Sequence, residues 1–373
     1  MSMTILFAGG GSGGHLSPGL AIAERLMERA PDTTCRFACS DRDIDRTMLE
    51  EAGVDFIALP ARRFSMTPPG LLRWWKGYRQ TVLPMRRILR SESCDLVVTL
   101  GGFVAAPVSA AASFEKVPVL LLNLDRVPGK ANRSIARRAQ QVLCAVPLVK
   151  PRRNWEVVGM PIRRAALAPA SRKECCQALG LHPDHKVLLA TGASQGARTL
   201  NNALPLAALQ RPAAFRGWQV LHLCGEHTPV DSIEAAWRKA GVSAQVRPFL
   251  HCMGQAWGAA DACVSRAGAS SVAEARANMV PTVFLPYPHH SDDHQRHNAQ
   301  PMVDLGGASI VVDEIDPERT ALRLGDTLET MLTSEKLLET MRDALGRTPL
   351  QDAADLVAER ILAQGDWKRP ALT

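Results

Sequence analysis

At 373 residues the chain is too long for one ordinary domain, and 46% hydrophobic with 22% charged residues is the composition of a globular protein, so two or three domains are expected. Forty-four Lys and Arg against 37 Asp and Glu leave a net charge of +7. That balance favours anionic partners, namely phosphorylated substrates, an acidic membrane surface or nucleic acid, without choosing among them. No apolar run approaches the roughly 18 residues of a spanning helix, so any membrane contact is expected to be peripheral.

The first residues run straight into a strand, Thr4–Ala8, without the charged and apolar segments of a secretory leader. The nine cysteines include no Cys-x-x-Cys pair; Cys35 and Cys39 are four residues apart and Cys175 and Cys176 adjacent. Reduced thiols in a cytosolic compartment are the expectation. After the first strand comes a glycine turn, then a helix over 18–30 with Leu20, Ala23, Leu26 and Met27 at helical spacing. Short apolar runs at 36–39, 56–59, 96–100, 117–122 and 141–144 alternate with helical stretches, the pattern of a parallel sheet covered on both faces. A second cycle opens near Lys186 with a strand at 187–191, a turn at 192–196 and a helix from Leu200. It continues through strands at 220–223, 245–249, 262–265 and 282–285, with helices at 316–332 and 351–364. The fold class is therefore α/β with two Rossmann-like domains, divided near Gly159–Arg164, where glycine, proline and charge break the pattern.

The first turn reads Gly9-Gly10-Gly11-Ser12-Gly13-Gly14-His15. Glycines between a strand and a helix let backbone N–H groups approach a phosphate, with the helix N-terminus adding partial positive charge. Gly9, Gly11 and Gly14 also spell the dinucleotide fingerprint, for which Asp41 or Asp43 would be the ribose-binding acid, so a nicotinamide-dependent dehydrogenase is one alternative. His15 does not belong to that fingerprint; beside the turn it is a candidate general base. The second turn, Thr191-Gly192-Ala193-Ser194-Gln195-Gly196-Ala197, offers Ser194 either to a phosphate or as a helix cap.

Further blocks are Gly159-Met160-Pro161-Ile162-Arg163, Ser265-Arg266-Ala267-Gly268-Ala269-Ser270-Ser271-Val272-Ala273-Glu274 and Pro286-Tyr287-Pro288-His289-His290-Ser291-Asp292-Asp293-His294-Gln295, followed by Asn298. With the two turns, they resemble glycosyltransferase family 28 in order and spacing over almost the whole chain. These are bacterial cell-wall enzymes that use UDP-N-acetylglucosamine and a lipid-linked muramoyl-pentapeptide acceptor.

The resemblance implies a GT-B fold, two Rossmann-like domains facing across a cleft, and an inverting transfer that needs no metal or other cofactor. It implies an acceptor- and membrane-side domain at 1–160, with the C-terminal helix near 351–373 a candidate to pack back on it. A UDP-sugar domain follows at 161–350. Carried over by residue, Glu274 would hold the ribose hydroxyls, and Ser194, Gln195, Gly196 and Gly268, Ala269, Ser270, Ser271 the diphosphate. Gln295, with His294 and Asn298, would meet the sugar, Arg163 the nucleotide, and the Leu250 backbone the uracil. Ser12, Gly13, Gly14 and His15 would face the acceptor diphosphate and the reacting hydroxyl. His15 is the first candidate for the base and Asp125 the second.

One block departs: where the family reads His-Glu-Gln-Asn on the acceptor side, this chain has Leu122-Asn123-Leu124-Asp125. That keeps a different lipid acceptor, such as a diacylglycerol, in play, and a non-catalytic nucleotide-sugar sensor is a third alternative. His289, His290, His294 and His297 with Asp292 and Asp293 have the look of a metal site, but they fall in the family's metal-free sugar-binding segment. Residues 64–90 mix Leu71, Leu72, Trp74, Trp75 and Tyr78 with Arg73, Lys76, Arg79, Arg86, Arg87 and Arg90, which suits an anionic membrane interface. Peripheral attachment to the cytoplasmic face of the inner membrane follows from the lipid-linked acceptor, with no nucleic acid partner. Arg133, Arg137, Arg138, Lys150, Arg152 and Arg153 read as an ordinary solvated face.

Overall fold

The computed structural model describes residues 3–11, 14–192, 197–288, 293–348 and 350–363. Chain contacts divide it into two compact units, Met1–Arg163 with Gln351–Thr373, and Arg164–Leu350.

Unit 1 holds seven strands: β1 (Thr4–Ala8), β2 (Thr34–Ser40), β3 (Phe56–Leu59), β4 (Leu96–Thr99), β5 (Val119–Asn123), β6 (Gln141–Cys144) and β7 (Trp155–Val157). They form one parallel sheet in the order β3-β2-β1-β4-β5-β6-β7. Its helices are α1 (Leu16–Arg29), α2 (Asp43–Glu51), α3 (Pro68–Ser91), α4 (Gly102–Phe114) and α5 (Lys130–Ile135). β1 is central and buried on both faces, which is why it reads as an unbroken apolar run. Ile5 and Phe7 pack on the α1 side with Leu16, Leu20 and Leu26, and Phe7 stacks on Phe37 at 5.0 Å between ring centroids. Leu6 and Ala8 face the opposite layer with Met85, Val104 and Val108.

Unit 2 has six strands: β8 (Lys186–Thr191), β9 (Trp218–Leu223), β10 (Ser243–Arg247), β11 (Ala262–Ser265), β12 (Thr282–Phe284) and β13 (Ala308–Ile310). Their order is β10-β9-β8-β11-β12-β13, again parallel. Around them lie α6 (Arg172–Leu179), α7 (Arg198–Gln210), α8 (Val230–Ala240), α9 (Met253–Ala259), α10 (Ala269–Ala277), α11 (His294–Asp304), α12 (Pro317–Leu332) and α13 (Glu335–Gly346). The last described element is α14 (Ala353–Ala363), whose Val357, Ala358 and Ile361 enter the core of unit 1. Arg25 Nε donates to Asp352 at 2.9 Å and Arg29 pairs with Asp355 at 2.6 Å, tying α14 to α1.

Sequence periodicity places most of these elements within a few residues. It does not anticipate β7, β13 or α13. The two strands are only three residues long and lie at sheet edges, too short for a period to register. In both sheets the first strand of the unit lies beside the fourth, and the connections turn opposite ways from that pair. Such a switch point leaves a crevice at the carboxyl ends of the strands, where ligands bind in open α/β sheets.

Candidate active site

In unit 1 the β1/β4 switch point opens into a cavity of ≈ 640 Å³. Backbone of Gly10, Gly11 and Gly102 forms one wall, and His15, Asp125 and Asn132 project beside it. Arg62, Arg63, Lys130 and Arg138 bring four cations against the single carboxylate of Asp125, and Phe64, Trp74, Tyr78 and Phe103 supply an aromatic side. A cavity lined by both cations and aromatics suits a ligand with an anionic group joined to an apolar one. Arg62 is partly committed: it forms a two-pronged pair with Asp41, both contacts at 2.8 Å, which holds the Asp41 carboxyl below its usual range.

Two amides of the glycine turn are spent inside the fold. The Gly9 N–H donates to Ala38 O at 3.1 Å and the Gly11 N–H to Asp45 Oδ2 at 2.6 Å, so both amides point back into the fold. Ser12 and Gly13 lie outside the described residues; Gly14 is exposed. His15 occupies the N-cap of α1 in helical backbone conformation, half-buried, with its ring against Gly101. A Cβ on Gly101 would sit 2.9 Å from Asn132 Oδ1 and 3.3 Å from His15 Cδ2, so that position has room only for glycine.

Asp125 follows β5 in a loop fixed from beneath. The buried Asn123 side chain donates to Asp125 O at 2.7 Å and accepts from Asn132 Nδ2 at 2.9 Å. Leu122 and Leu124, the other two positions of the departing block, do not line the cavity; both are core residues packed with the α1 side of the sheet. The family resemblance implies an acceptor-side block here, and of its four residues only Asp125 lines this cavity. Arg138, read as part of a solvated face, lines the cavity. Gly101, Gly102 and Phe103 were missed, although Leu100-Gly101-Gly102 repeats the strand–glycine–helix device of β1.

In unit 2 the corresponding crevice lies after β8 and β11. Ser194, Gln195 and Gly196 lie outside the described residues. Gly268 is the N-cap of α10, with Ala269, Ser270 and Ser271 in its first turn, where backbone N–H groups have no intrahelical acceptor and favour anions. Glu274, one turn on, accepts from Trp257 Nε1 at 3.0 Å, which fixes its carboxylate while leaving it partly exposed. Arg266 is buried, pairs with the fully buried Asp313 at 2.7 Å and donates to Leu285 O at 2.8 Å. It thereby holds the segment leading to Tyr287, whose N–H donates to Gln295 Oε1 at 2.9 Å. His294 opens α11 and Asn298 is buried one turn later. The Leu250 side chain belongs to the core, so only its backbone is available to a ligand. Arg163 lies at the end of unit 1, not in unit 2, with Nε donating to Glu24 Oε1 on α1 at 3.0 Å. Among the described residues no group of three His, Cys, Asp or Glu is placed to hold a metal; His289, His290, Ser291 and Asp292 lie outside them.

The glycosyltransferase family 28 N-terminal domain matches residues 5–144, and the family 28 C-terminal domain residues 187–357. A Nocardioides protein is 35% identical over 97% of this chain and 98% of its own length, and an Aeromonas hydrophila protein 34% identical over 99% of each. The chain belongs to glycosyltransferase family 28. Both relatives carry the name UDP-N-acetylglucosamine–N-acetylmuramyl-(pentapeptide) pyrophosphoryl-undecaprenol N-acetylglucosamine transferase. The crystal structure of Acinetobacter baumannii MurG, 25% identical, superposes with a TM-score of 0.73 over 98% of this chain and 100% of that one. UDP-GlcNAc 2-epimerase from Neisseria meningitidis, at 13% identity and a TM-score of 0.68, shares the fold. Within family 28 terms, the cavity lies in the part matched by the N-terminal domain and Glu274 in the part matched by the C-terminal domain.

Proposed function

We propose that this family 28 glycosyltransferase moves N-acetylglucosamine from UDP-N-acetylglucosamine to undecaprenyl-diphospho-N-acetylmuramoyl-pentapeptide, with inversion and without a metal ion. The observation that carries the acceptor side is the unit 1 cavity, which joins a histidine to four cations and an aromatic wall. His15 takes the proton of the acceptor hydroxyl as its oxygen bonds to the anomeric carbon. The bond from that carbon to the UDP oxygen breaks, and UDP leaves with the electron pair. The α10 N-terminus supplies positive potential to the departing diphosphate, and Glu274 accepts from the ribose hydroxyls. Asp125 orients the acceptor beside His15.

The lipid part of the acceptor calls for work at a membrane surface, and no helix among the described residues is long and apolar enough to cross one. Peripheral attachment to the cytoplasmic leaflet through residues 64–90 is part of the proposal. The support is the exposed strip Met66, Leu71, Leu72, Trp75 and Leu83, interleaved with Arg73, Lys76 and Arg79. Labelled transfer in the presence of EDTA tests the whole reading. Product with the muramoyl-pentapeptide lipid supports donor, acceptor and metal independence together. UDP-N-acetylglucosamine binding without product would move the acceptor to another lipid, and product only after adding Mg²⁺ would overturn the metal-free step.

A further inference from the structure

The fully buried carboxylate of Asp45, in the first turn of α2, lies directly behind the first glycine turn. Its Oδ2 accepts from the Gly11 N–H at 2.6 Å, from the Ser40 hydroxyl and from the Ser40 N–H at 3.3 Å. The carbonyl of the same Gly11 accepts from Arg42 Nη1 at 2.8 Å. One residue, Gly11, is thus gripped at both its N–H and its C=O by Asp45 and Arg42 at the start of α2. Burying a carboxylate is costly unless donors are held on it, so the donors and the carboxylate fix one another.

The glycines record how tight this arrangement is. Gly10 (φ +135°) and Gly11 (φ +102°) both adopt backbone that side chains rarely allow. A Cβ on Gly10 would stand 2.5 Å from Asp45 Oδ2, and one on Gly11 2.3 Å from the Phe103 ring. The turn is sandwiched between Asp45 and Phe103, and Arg42 closes the sandwich by lying over the same Phe103 ring at 5.5 Å. Gly10, Gly11 and Phe103 all line the cavity, and His15 follows four residues later.

We propose that Asp45 is a positioning residue for the transfer: with Arg42 it latches Gly11 at its N–H and C=O and so sets where the Gly10–Gly11 wall and His15 stand against the acceptor. The proposal rests on the transferase reading above. A residue displaced by about 1 Å from its productive geometry costs on the order of 100-fold in rate, so losing the latch is felt as chemistry rather than as binding.

Asp45→Asn keeps the shape and removes the charge and one acceptor oxygen. Its kcat/KM for the lipid acceptor is expected to fall roughly 30- to 100-fold, mostly in kcat, with the Kd for UDP-N-acetylglucosamine within twofold of wild type. Arg42→Gln, at a less buried position, gives a smaller loss of the same kind and serves if the first variant folds poorly. The double variant loses less than the product of the two, because both act on one residue, Gly11. Independently of activity, amide exchange over residues 9–11 is expected to accelerate in both variants while exchange in unit 2 stays unchanged. Unchanged exchange at the turn, full activity of Asp45→Asn, or equal losses on the donor and acceptor sides would each overturn the latch. A wild-type protein that transfers nothing would overturn the transferase reading alone, since the exchange measurement decides the latch by itself.

Discussion

His15 stands where α1 begins, against Gly101, and lines the same cavity as Asp125 and Asn132. A base in that position acts on the acceptor and not on the nucleotide, so His15→Ala is expected to lower kcat by roughly 100-fold or more with the UDP-N-acetylglucosamine Kd unchanged. Single-turnover kinetics with direct donor titration separates the two; weakened donor binding would remove His15 from the role. His222 makes a different kind of statement. Wholly buried, it accepts from Trp237 Nε1 at 3.0 Å and contacts Asn201 Oδ1 at 3.1 Å, and burial pushes its pKa from 6.5 down to about 4. The folded state therefore holds the neutral ring, and the unfolded chain takes up the proton first. Stability is fully present above pH 6.5 and falls as pH drops from there towards 4, by about 3 kcal/mol in all. Denaturant midpoints across that window check it. His222→Gln, which keeps an acceptor oxygen and removes the titration, is expected to flatten the slope even if it lowers the midpoint.

At the scale of elements, α3 packs Gly70, Gly77, Val82, Met85 and Leu89 inward and leaves Leu72 and Trp75 66% and 50% exposed. Arg79 lies over Trp75 at 4.9 Å, a cation held on an aromatic at the surface, whereas Arg86 and Arg90 are already engaged by Glu115. Replacing Leu72 and Trp75 together by Glu is expected to cut binding to anionic vesicles roughly tenfold or more without changing the melting temperature appreciably. Sedimentation with vesicles tests this, and unchanged binding would assign the strip to another role. The sequence reading reached the aromatic and basic residues of α3, and the strand-then-helix order that opens both units, because those features are local. It did not reach the commitments made by packing. That Leu122 and Leu124 belong to the core, that Arg138 reaches the cavity, and that the Gly9 and Gly11 amides face inward all depend on neighbours far away in the chain. Asp45 is the sharpest case: beside Asp41 and Asp43 nothing in its local sequence marks it, and only the return of β2 next to β1 brings it behind Gly11.

At the scale of the whole chain, unit 1 is completed by residues that come after unit 2. Arg25 is buried, and Asp352 at 2.9 Å is its closest carboxylate, with Glu24 at 3.7 Å. Removing that partner leaves a buried cation poorly compensated, so Asp352→Ala is expected to cost about 2 kcal/mol. The loss should appear in unit 1, through Val357, Ala358 and Ile361 in its core, and not in unit 2. Limited proteolysis followed by fragment identification reads this out, and equal destabilisation of both units would contradict it.

Unit 2 is a continuous stretch of chain, whereas unit 1 begins at the N-terminus and closes only with α14. During synthesis the later-made unit 2 can therefore finish folding first. Until residues 353–363 are made, the unit that carries His15 is left with the Val357 and Ile361 side of its core open to solvent and to chaperones. The order of synthesis thus keeps the half with the proposed acceptor site unfinished until the half with the proposed donor site is already built.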